Sequence, residues 1–186
     1  MANAKEMKKR NTGVLSNRDG FLSLNQVTIR SAQLRDLERL ASLCCALWPK
    51  RSLEDNFGEL RLILEGKTEL VLTMPLAIFI AETNSKELVG FVEVDLRSHA
   101  DGCSPAKPAA YIEGWYVAES FSRRGVGKML IEKAEEWART QHCLEIASDA
   151  TIDNWKSHRA HEALGYEVVD ACVHFRKDLG GRRQQK

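Results

Sequence analysis

The strongest constraint on the fold is a strand that runs into a basic, glycine-containing turn and then directly into a helix. Residues 110–117 are rich in apolar and aromatic side chains, the turn 121–127 contains Arg123 and Arg124, and from Val126 apolar positions recur every three or four residues. The first backbone N–H groups of a helix lack intrahelical partners and lie at its positive end, so this junction predicts an anion site. The turn lacks the spacing of a P-loop and of a complete dinucleotide fingerprint, and a plain tight turn explains its Gly-x-Gly equally well.

Hydrophobic periodicity predicts further strands and helices on both sides of this junction. We expect Ser31 to cap a first helix and Ser52, with Asp55, to form a capping box for a second that ends at Gly66. Gly114 within its strand predicts a bulge or a close approach of another segment. The element order β-α-α-β-β-β-α-β-α-β predicts an α/β (α+β) fold with a mixed, mostly antiparallel sheet and helices on both faces. The predicted strands are 26–30, 77–82, 88–96, 110–117, 144–148 and 166–175, and the later helices begin at Val126 and at Asp153 or Asn154.

Charge separates the two ends of the chain from its body. The chain has 27 basic and 26 acidic residues, but residues 1–24 and 180–186 each carry a net +3. The remaining 19 basic and 24 acidic residues give the body a net −5. That sign favours a cationic partner over nucleic acid, although surface acids that keep a protein in solution explain it as simply. We expect a loosely ordered N-terminal extension (1–25), one domain (26–179) and a basic C-terminal tail (180–186).

The sequence predicts neither a metal site nor a disulfide framework. Its five cysteines include no Cys-x-x-Cys pair, and its five histidines show no His-Glu-x-x-His spacing. No apolar run approaches the roughly 20 residues of a membrane-spanning helix, and no signal-peptide apolar segment follows the basic N-terminus. We therefore expect reduced thiols, a cytoplasmic location, and neither a membrane nor a nucleic-acid partner.

Two segments resemble the paired motifs of the GNAT acetyltransferases. The first is Arg123-Arg124-Gly125-Val126-Gly127-Lys128, which is similar to the acyl-CoA-binding turn of that family. The second runs from Asn154 to Tyr166 and resembles the family's helix, with Asn at its start and Leu-Gly-aromatic at its end. The resemblance covers about residues 27–178. It implies the GNAT acyltransferase fold, with acetyl-CoA as co-substrate and no metal.

Within that family the chain is most similar to the aminoglycoside 6′-N-acetyltransferases. The resemblance implies a bacterial enzyme that acetylates the 6′-amino group of an aminoglycoside antibiotic and so confers resistance. The amine would attack the thioester directly in a ternary complex, and the resemblance also suggests a homodimer. The segments that carry it are Leu47-Trp48-Pro49, Asp101-Gly102-Cys103, Ile112-Glu113-Gly114, Ala147-Ser148-Asp149, Asp153-Asn154, Ser157-His158 and His161 to Gly165.

The same resemblance assigns residues to the two substrates. The strand around Trp115, Tyr116 and Val117 would bind the pantetheine arm through its main chain, with the Val117 N–H as candidate oxyanion donor and Asn154 near the sulfur. The pyrophosphate would bind Arg123, Arg124, Gly125, Val126, Gly127 and Lys128. A polycationic acceptor needs carboxylates, and the resemblance implies Glu113, Asp149 and Asp170, with Trp48 as a wall of the pocket and Arg51 beside it.

Each of these acceptor residues also has a plainer interpretation. Glu113 is the candidate general base, although a solvated strand carboxylate is the alternative. Asp149 could instead cap a turn, Asp170 could be an exposed strand residue, and Trp48 could belong to the core. His161 stands where many GNAT enzymes have a tyrosine that protonates the leaving thiolate, but packing on a helix face explains a histidine equally well.

Three positions depart from the resemblance and leave the drug profile open. Ser122 replaces a basic or amide residue of the phosphate turn, and Ala100 replaces a tyrosine that touches the substrate. Arg51 replaces a histidine and would repel a cationic sugar unless it is paired, for which Glu54 or Asp55 is the nearest choice in sequence. Two other functions remain open: a GNAT enzyme for a different amine, such as a polyamine or a protein N-terminus, and a catalytically silent acyl-CoA-binding module.

Overall fold

Five strands form one sheet and follow one another across it in the order in which they occur along the chain. The structure, a computed structural model, describes residues 27–66 and 74–177, so the predicted extension and basic tail lie outside the described residues. The elements are β1 (Val27–Ser31), α1 (Leu37–Leu47), α2 (Leu53–Glu65), β2 (Leu76–Thr83), β3 (Leu88–Arg97), β4 (Ala109–Val117), α3 (Val126–Thr140), β5 (Ile146–Ser148) and α4 (Trp155–Glu162).

The first four strands are antiparallel to their neighbours, and only β5 runs parallel to β4. The predicted mixed, mostly antiparallel sheet is therefore confirmed. β5 pairs with β4 only from Ala110 to Ile112, where Ile112 lies opposite Ser148. From Glu113 to Val117 the outer edge of β4 has no strand partner within the described ranges. This opening between β4 and β5 leaves main-chain groups at the centre of the molecule without ladder partners.

Each face of the sheet packs against different helices. On one face α1 and α2 cover Ile78, Ile80 and Phe91, which are buried. On the other face α3 covers Val92 and Val94, which are fully buried. Because side chains of a strand alternate between faces, consecutive residues of β3 serve the two cores in turn. The predicted placement of helices on both faces is confirmed.

The helix boundaries confirm one predicted cap and correct another. Ser52 accepts a hydrogen bond from the backbone N–H of Asp55 at 3.0 Å, and Gly66 ends α2 with φ +66°. The prediction that Ser31 caps the first helix is wrong, because Ser31 is the last residue of β1. A 3-10 turn, Leu34–Asp36, follows instead and leads into α1.

The prediction of a final strand over residues 166–175 is also wrong. Residues 163–177 contain no regular strand in the described structure, although Val169, Ala171, Val173 and Phe175 alternate along them. A strand needs a backbone partner, and this segment has none among the described residues, because no further strand continues the sheet beyond β5. Among the described helices, none is both long and apolar enough to cross a membrane.

Candidate active site

A β-bulge in β4 turns two consecutive residues toward the same face of the sheet. The register shifts so that Ile112 lies opposite Val94 and Gly114 lies opposite Glu93, which leaves Glu113 as the extra residue. Gly114 faces the end of α1 so closely that a Cβ there would lie 2.8 Å from the Trp48 ring. The bulge and the close approach predicted from Gly114 are both confirmed. Because this position has no side chain, the Trp48 ring packs against the strand at the residue next to Glu113.

Glu113 shares its face with two carboxylates of β3 that sequence reasoning missed, Glu93 and Asp95. We call these three the acceptor face. Burial, and then the charges of neighbouring acids, raise the pKa of Glu93 to about 7. Burial, and then the charge of Glu113, also raise the pKa of Asp95. The signal was present, since Val92-Glu93-Val94-Asp95 alternates apolar and acidic residues within a strand whose other face is core.

Both arginines near the acceptor face are neutralised by ion pairs. Arg51 lies 5.7 Å from the Trp48 ring centroid and pairs with Glu59 of α2, so the suggested partners Glu54 and Asp55 are not the ones used. The Nε of Arg97 donates to Oε1 of Glu113 at 2.9 Å. Neither Glu93 nor Asp95 accepts a hydrogen bond from these two arginines among the described residues.

The unpaired edge of β4 directs main-chain N–H groups away from the sheet. The N–H of Ala118 donates to the carbonyl of Val89 at 2.8 Å, toward β3. Because successive N–H groups of an extended chain alternate sides, those of Trp115 and Val117 are directed toward the opening between β4 and β5, and that of Tyr116 toward β3. The edge therefore offers donors to an extended ligand at this position.

The turn into α3 places a positive helix end beside this edge. Arg123 and Gly125 both have positive φ, +58° and +83°, and the first turn of α3 contains no acidic residue. The ring of Trp115 packs so closely on the first turn that a Cβ at Gly127 would lie 2.9 Å from it. Gly127 therefore lets α3 lie against β4. The helix begins at Val126, so its first N–H groups are available to an anion.

His161 of α4 is held at the end of β5 through both ring nitrogens. Nδ1 lies 2.8 Å from the carbonyl of Ser157, which can only accept, so Nδ1 carries the proton in the neutral ring. Nε2 lies 3.1 Å from the hydroxyl of Ser148, which then donates to it. The rings of Trp115 and Tyr166 stand edge-on to the imidazole at 5.3 Å each. The hydrogen bond from Ser148 thus links the imidazole to the point where the pairing of β4 with β5 ends.

The remaining predicted site residues lie outside the acceptor face, and most of them are exposed. The amide oxygen of Asn154 accepts from the N–H of Ser157 at 3.2 Å and so caps α4. Asp149 is exposed. Burial, and then the negative charge of Asp149, raise the pKa of Tyr111. The carboxylate of Asp170 accepts from the neighbouring Ala171 N–H and contacts no other acid of the site in the ranges described. Ala100 is buried against Tyr111, and Lys128 pairs with Glu132 on the exposed side of α3.

The carboxylate, thiol and imidazole groups do not assemble into a metal-binding cluster in the described part of the chain. The described residues form two rows, one of carboxylates on one face of β3 and β4 and one of main-chain donors on the edge of β4. The two rows meet at Glu113, and the positive end of α3 packs on Trp115, two residues further along the edge. This arrangement can hold a polycation next to an anionic, extended ligand.

Comparison with known proteins gives the same answer at the level of family. The acetyltransferase (GNAT) family model matches residues 35–166. Over 151 residues the chain is 36% identical to an aminoglycoside N(6′)-acetyltransferase type 1 of Klebsiella aerogenes, an alignment that covers 81% of this chain and 96% of that protein. It is 38% identical over 146 residues to a protein of the same name from Serratia marcescens, with 78% and 94% covered.

Solved structures agree. The chain superposes with a TM-score of 0.72 and 31% identity on AAC(6′)-Iy in complex with a bisubstrate analogue, CoA-S-monomethyl-acetylneamine, over 82% of this chain and 98% of that one. It superposes with a TM-score of 0.71 and 28% identity on the aminoglycoside antibiotic 6′-N-acetyltransferase AAC(6′)-Ih of Acinetobacter baumannii, over 83% and 99% of the two chains. The chain therefore belongs to the GNAT acetyltransferase family and, within it, to the family of aminoglycoside 6′-N-acetyltransferases.

Proposed function

We propose that this protein transfers the acetyl group of acetyl-CoA to the 6′-amino group of an aminoglycoside antibiotic. The observation that carries the proposal is the meeting of the acceptor face with the free edge of β4 at Glu113. The names of the relatives and the bisubstrate analogue bound by AAC(6′)-Iy support the same activity. Acetylation removes a positive charge from the antibiotic, which supports a role in resistance.

The co-substrate side of the site is formed by main-chain groups. The positive end of α3, with Arg123, Arg124 and Lys128, would bind the pyrophosphate, and the N–H of Trp115 would bind the pantetheine arm. Asn154, whose amide nitrogen has no hydrogen-bond partner among the described residues, would donate near the sulfur. When bound, acetyl-CoA supplies an activated acyl group. The N–H of Val117, which the strand geometry directs into the opening, would stabilise the oxyanion.

The acceptor side must hold the amine and remove its proton. An aminoglycoside amine is protonated in water, so it reaches the site as a cation and becomes a nucleophile only after losing a proton. Glu113 would bind the 6′-ammonium and accept that proton, directly or through a water molecule. Glu93, Asp149 and Asp170 would bind other ammonium groups, with Trp48 as a wall and Arg51 beside it, neutralised by Glu59.

The last step is the departure of CoA as a thiolate. The new C–N bond forms as the C–S bond breaks, and the departing thiolate takes up a proton. His161 would supply that proton through Ser148 from its doubly protonated form, in which Nε2 donates to the Ser148 oxygen as that hydroxyl gives its own proton to the thiolate and the imidazole is left neutral. This role needs the imidazole to be recharged from solvent after each turnover, and its half-buried position permits that exchange.

An amine panel with thiol release as the readout tests the function. We expect thiol release with kanamycin and tobramycin, and none above background with spermidine or an N-terminal peptide. Release with the polyamine or peptide alone would assign the enzyme to a different amine. Acetyl-CoA binding without release on any amine would assign a silent binding module.

We further propose that the protein is a cytoplasmic homodimer. The segment 168–175 presents apolar side chains to solvent, and Phe175 is 94% exposed and Val173 70%. Val169, Val173 and Phe175 share one side of the extended chain, as a strand that awaits a partner would require. A second copy would cover this side. Light scattering should therefore give about twice the 21.0 kDa of one chain.

Substitution of Val173 and Phe175 by Asp should lower that mass to one chain, while Val168→Asp, on the other side of the segment, should not. A monomeric wild-type protein would refute the dimer. The cytoplasmic location is supported by the five cysteines, all of which are unpaired, and by acetyl-CoA as co-substrate.

A further inference from the structure

Arg97 occupies one carboxylate oxygen of Glu113, Oε1, which an acceptor ammonium could also use. Its Nε donates to Oε1 of Glu113 at 2.9 Å, and its Nη2 contacts the same oxygen. The guanidinium lies flat over the ring of Tyr111, with Cζ 3.4 Å from the ring centroid. A cation that binds Oε1 must therefore share this oxygen with Arg97 or displace it.

A second carboxylate, that of Asp95, lies within reach of the same guanidinium, and one of its two oxygens lacks a hydrogen bond. Oδ1 of Asp95 is buried and has no hydrogen-bond partner within the described residues, and the residue as a whole is only 8% exposed. It lies 4.0 Å from Nε of Arg97, too far for a hydrogen bond and near enough for one to form after a small rotation. A buried carboxylate oxygen without a donor is costly unless a donor reaches it in another state of the molecule.

The strand register explains why one arginine can serve both acids. Asp95 and Arg97 are two residues apart on β3 and so share a face, and Tyr111 lies opposite Asp95 on β4. The Tyr111 ring is therefore a common surface beneath both positions of the guanidinium. Movement between Glu113 and Asp95 keeps the cation over this ring and needs no change in the main chain.

We propose that Arg97 is an internal counter-cation: it neutralises Glu113 in the free enzyme and moves onto Asp95 when an ammonium group of the acceptor binds Glu113. This inference rests on the proposed function, because it assumes a cationic acceptor at Glu113. It makes Arg97 and Asp95 positioning residues that set the affinity for the polycation. A neutral acceptor could not displace the arginine, so the exchange also selects for charge.

Isothermal titration of kanamycin into the full-length protein and its variants tests the exchange. Arg97→Met removes the competitor, so kanamycin should bind about fivefold more tightly, the size expected for the loss of one half-exposed ion pair. Asp95→Asn removes the second position of Arg97, so kanamycin should bind about fivefold more weakly. In the double variant the Asp95 substitution should have no further effect, because no arginine remains to move. Arg97→Gln repeats the test should the methionine variant fold poorly.

The control is Arg139→Met on the opposite face of the sheet, where Arg139 pairs with Glu135 and the net charge changes equally. It should leave kanamycin binding unchanged. Weaker binding by both Arg97 variants would overturn the inference, as would an Asp95→Asn effect of equal size with and without Arg97, which would make Asp95 a direct ligand. If the wild-type protein bound no kanamycin, the proposed function would fall and the inference with it.

Discussion

At the scale of single residues, the carboxylates of the acceptor face differ in their surroundings. Glu113 is paired with Arg97, Asp95 is almost fully buried with one free oxygen, and Glu93 is half-buried with no hydrogen bond or ion pair in the described structure. Asp149 is exposed at the rim. These differences imply that one acid accepts the proton of the reacting amine while the others contribute charge to hold the polycation.

Glu113→Ala and Asp149→Ala should lower aminoglycoside turnover while acetyl-CoA affinity is largely kept. Both side chains lie on the acceptor side, and the acetyl-CoA side consists of main-chain donors that neither substitution touches. We expect the larger loss, about 100-fold or more in kcat, for Glu113, because general-base catalysis contributes at least that factor. Steady-state kinetics with kanamycin, together with titration of acetyl-CoA, measures both effects. Wild-type turnover in both variants would refute these roles.

Glu93 makes the stability of the fold depend on pH. Its pKa is raised from 4.5 to about 7, so the unfolded chain loses this proton at lower pH than the folded one. The stability that protonated Glu93 gives to the fold is therefore fully present below about pH 4.5 and is lost as the pH rises through about 7. Glu93→Gln should remove this loss. The gain in unfolding free energy over wild type should be about 1 to 2 kcal/mol larger at pH 8 than at pH 5, after allowance for the partly exposed position.

Thermal unfolding of the two proteins at pH 5 and pH 8 measures the difference. Glu38→Gln, on the exposed side of α1, is the matched control and should keep the wild-type difference in stability between the two values of pH, because Glu93 is intact in it. Equal pH dependence in wild type and Glu93→Gln would mean that Glu93 is ionised in the fold at pH 5.

At the scale of elements, the bulge of β4 and the end of α1 act together. The bulge brings Glu113 and Gly114 to one face, and the missing side chain at Gly114 lets Trp48 and Leu47 pack there. Gly114→Ala would place a Cβ 2.8 Å from the Trp48 ring and 3.2 Å from Leu47. We expect a loss of about 1 to 3 kcal/mol in unfolding free energy and a higher KM for the acceptor, because Trp48 must move.

Gly58→Ala is the matched control for this prediction. Gly58 lies in the middle of α2 with no atom within 4 Å of the position of a Cβ. The alanine should therefore leave activity unchanged and stabilise the helix by up to about 1 kcal/mol. Chemical denaturation of the two variants compares them, and equal stability would mean that the Trp48 contact does not constrain Gly114.

The elements were largely predictable because local signals specify them. The N-cap at Ser52, the hairpin between β2 and β3 and the helix after Gly125 are each encoded within a few residues. The last predicted strand failed because alternation shows only that residues 166–175 suit a sheet, whereas a strand also needs a neighbour. Arg97 and Glu113 lie 16 positions apart in the chain. Their pairing depends on the register of β3 against β4, which no local pattern contains.

At the scale of the whole molecule, the sheet places the two substrates on different structures. In the proposed function the acceptor would meet side chains on one face of β3 and β4, beside α1 and α2, and acetyl-CoA would meet main-chain groups at the β4 edge and the start of α3. The residues assigned to acetyl-CoA lie mostly within one stretch of chain, 115–128, so a resemblance in sequence is enough to predict them. The acceptor face and the Trp48 ring beside Gly114 come from segments up to about 65 residues apart, and of the three acids the sequence analysis named only Glu113.

The position of the new acetyl group on the antibiotic tests the account most directly. Kanamycin and acetyl-CoA are incubated with the enzyme and the product is fragmented in a mass spectrometer, beside an aminoglycoside that has a 6′-hydroxyl in place of the amine. The account predicts a single added acetyl group on the 6′-nitrogen of kanamycin and no product from the hydroxyl analogue. An acetyl group on any other nitrogen, or equal modification of the analogue, would contradict it.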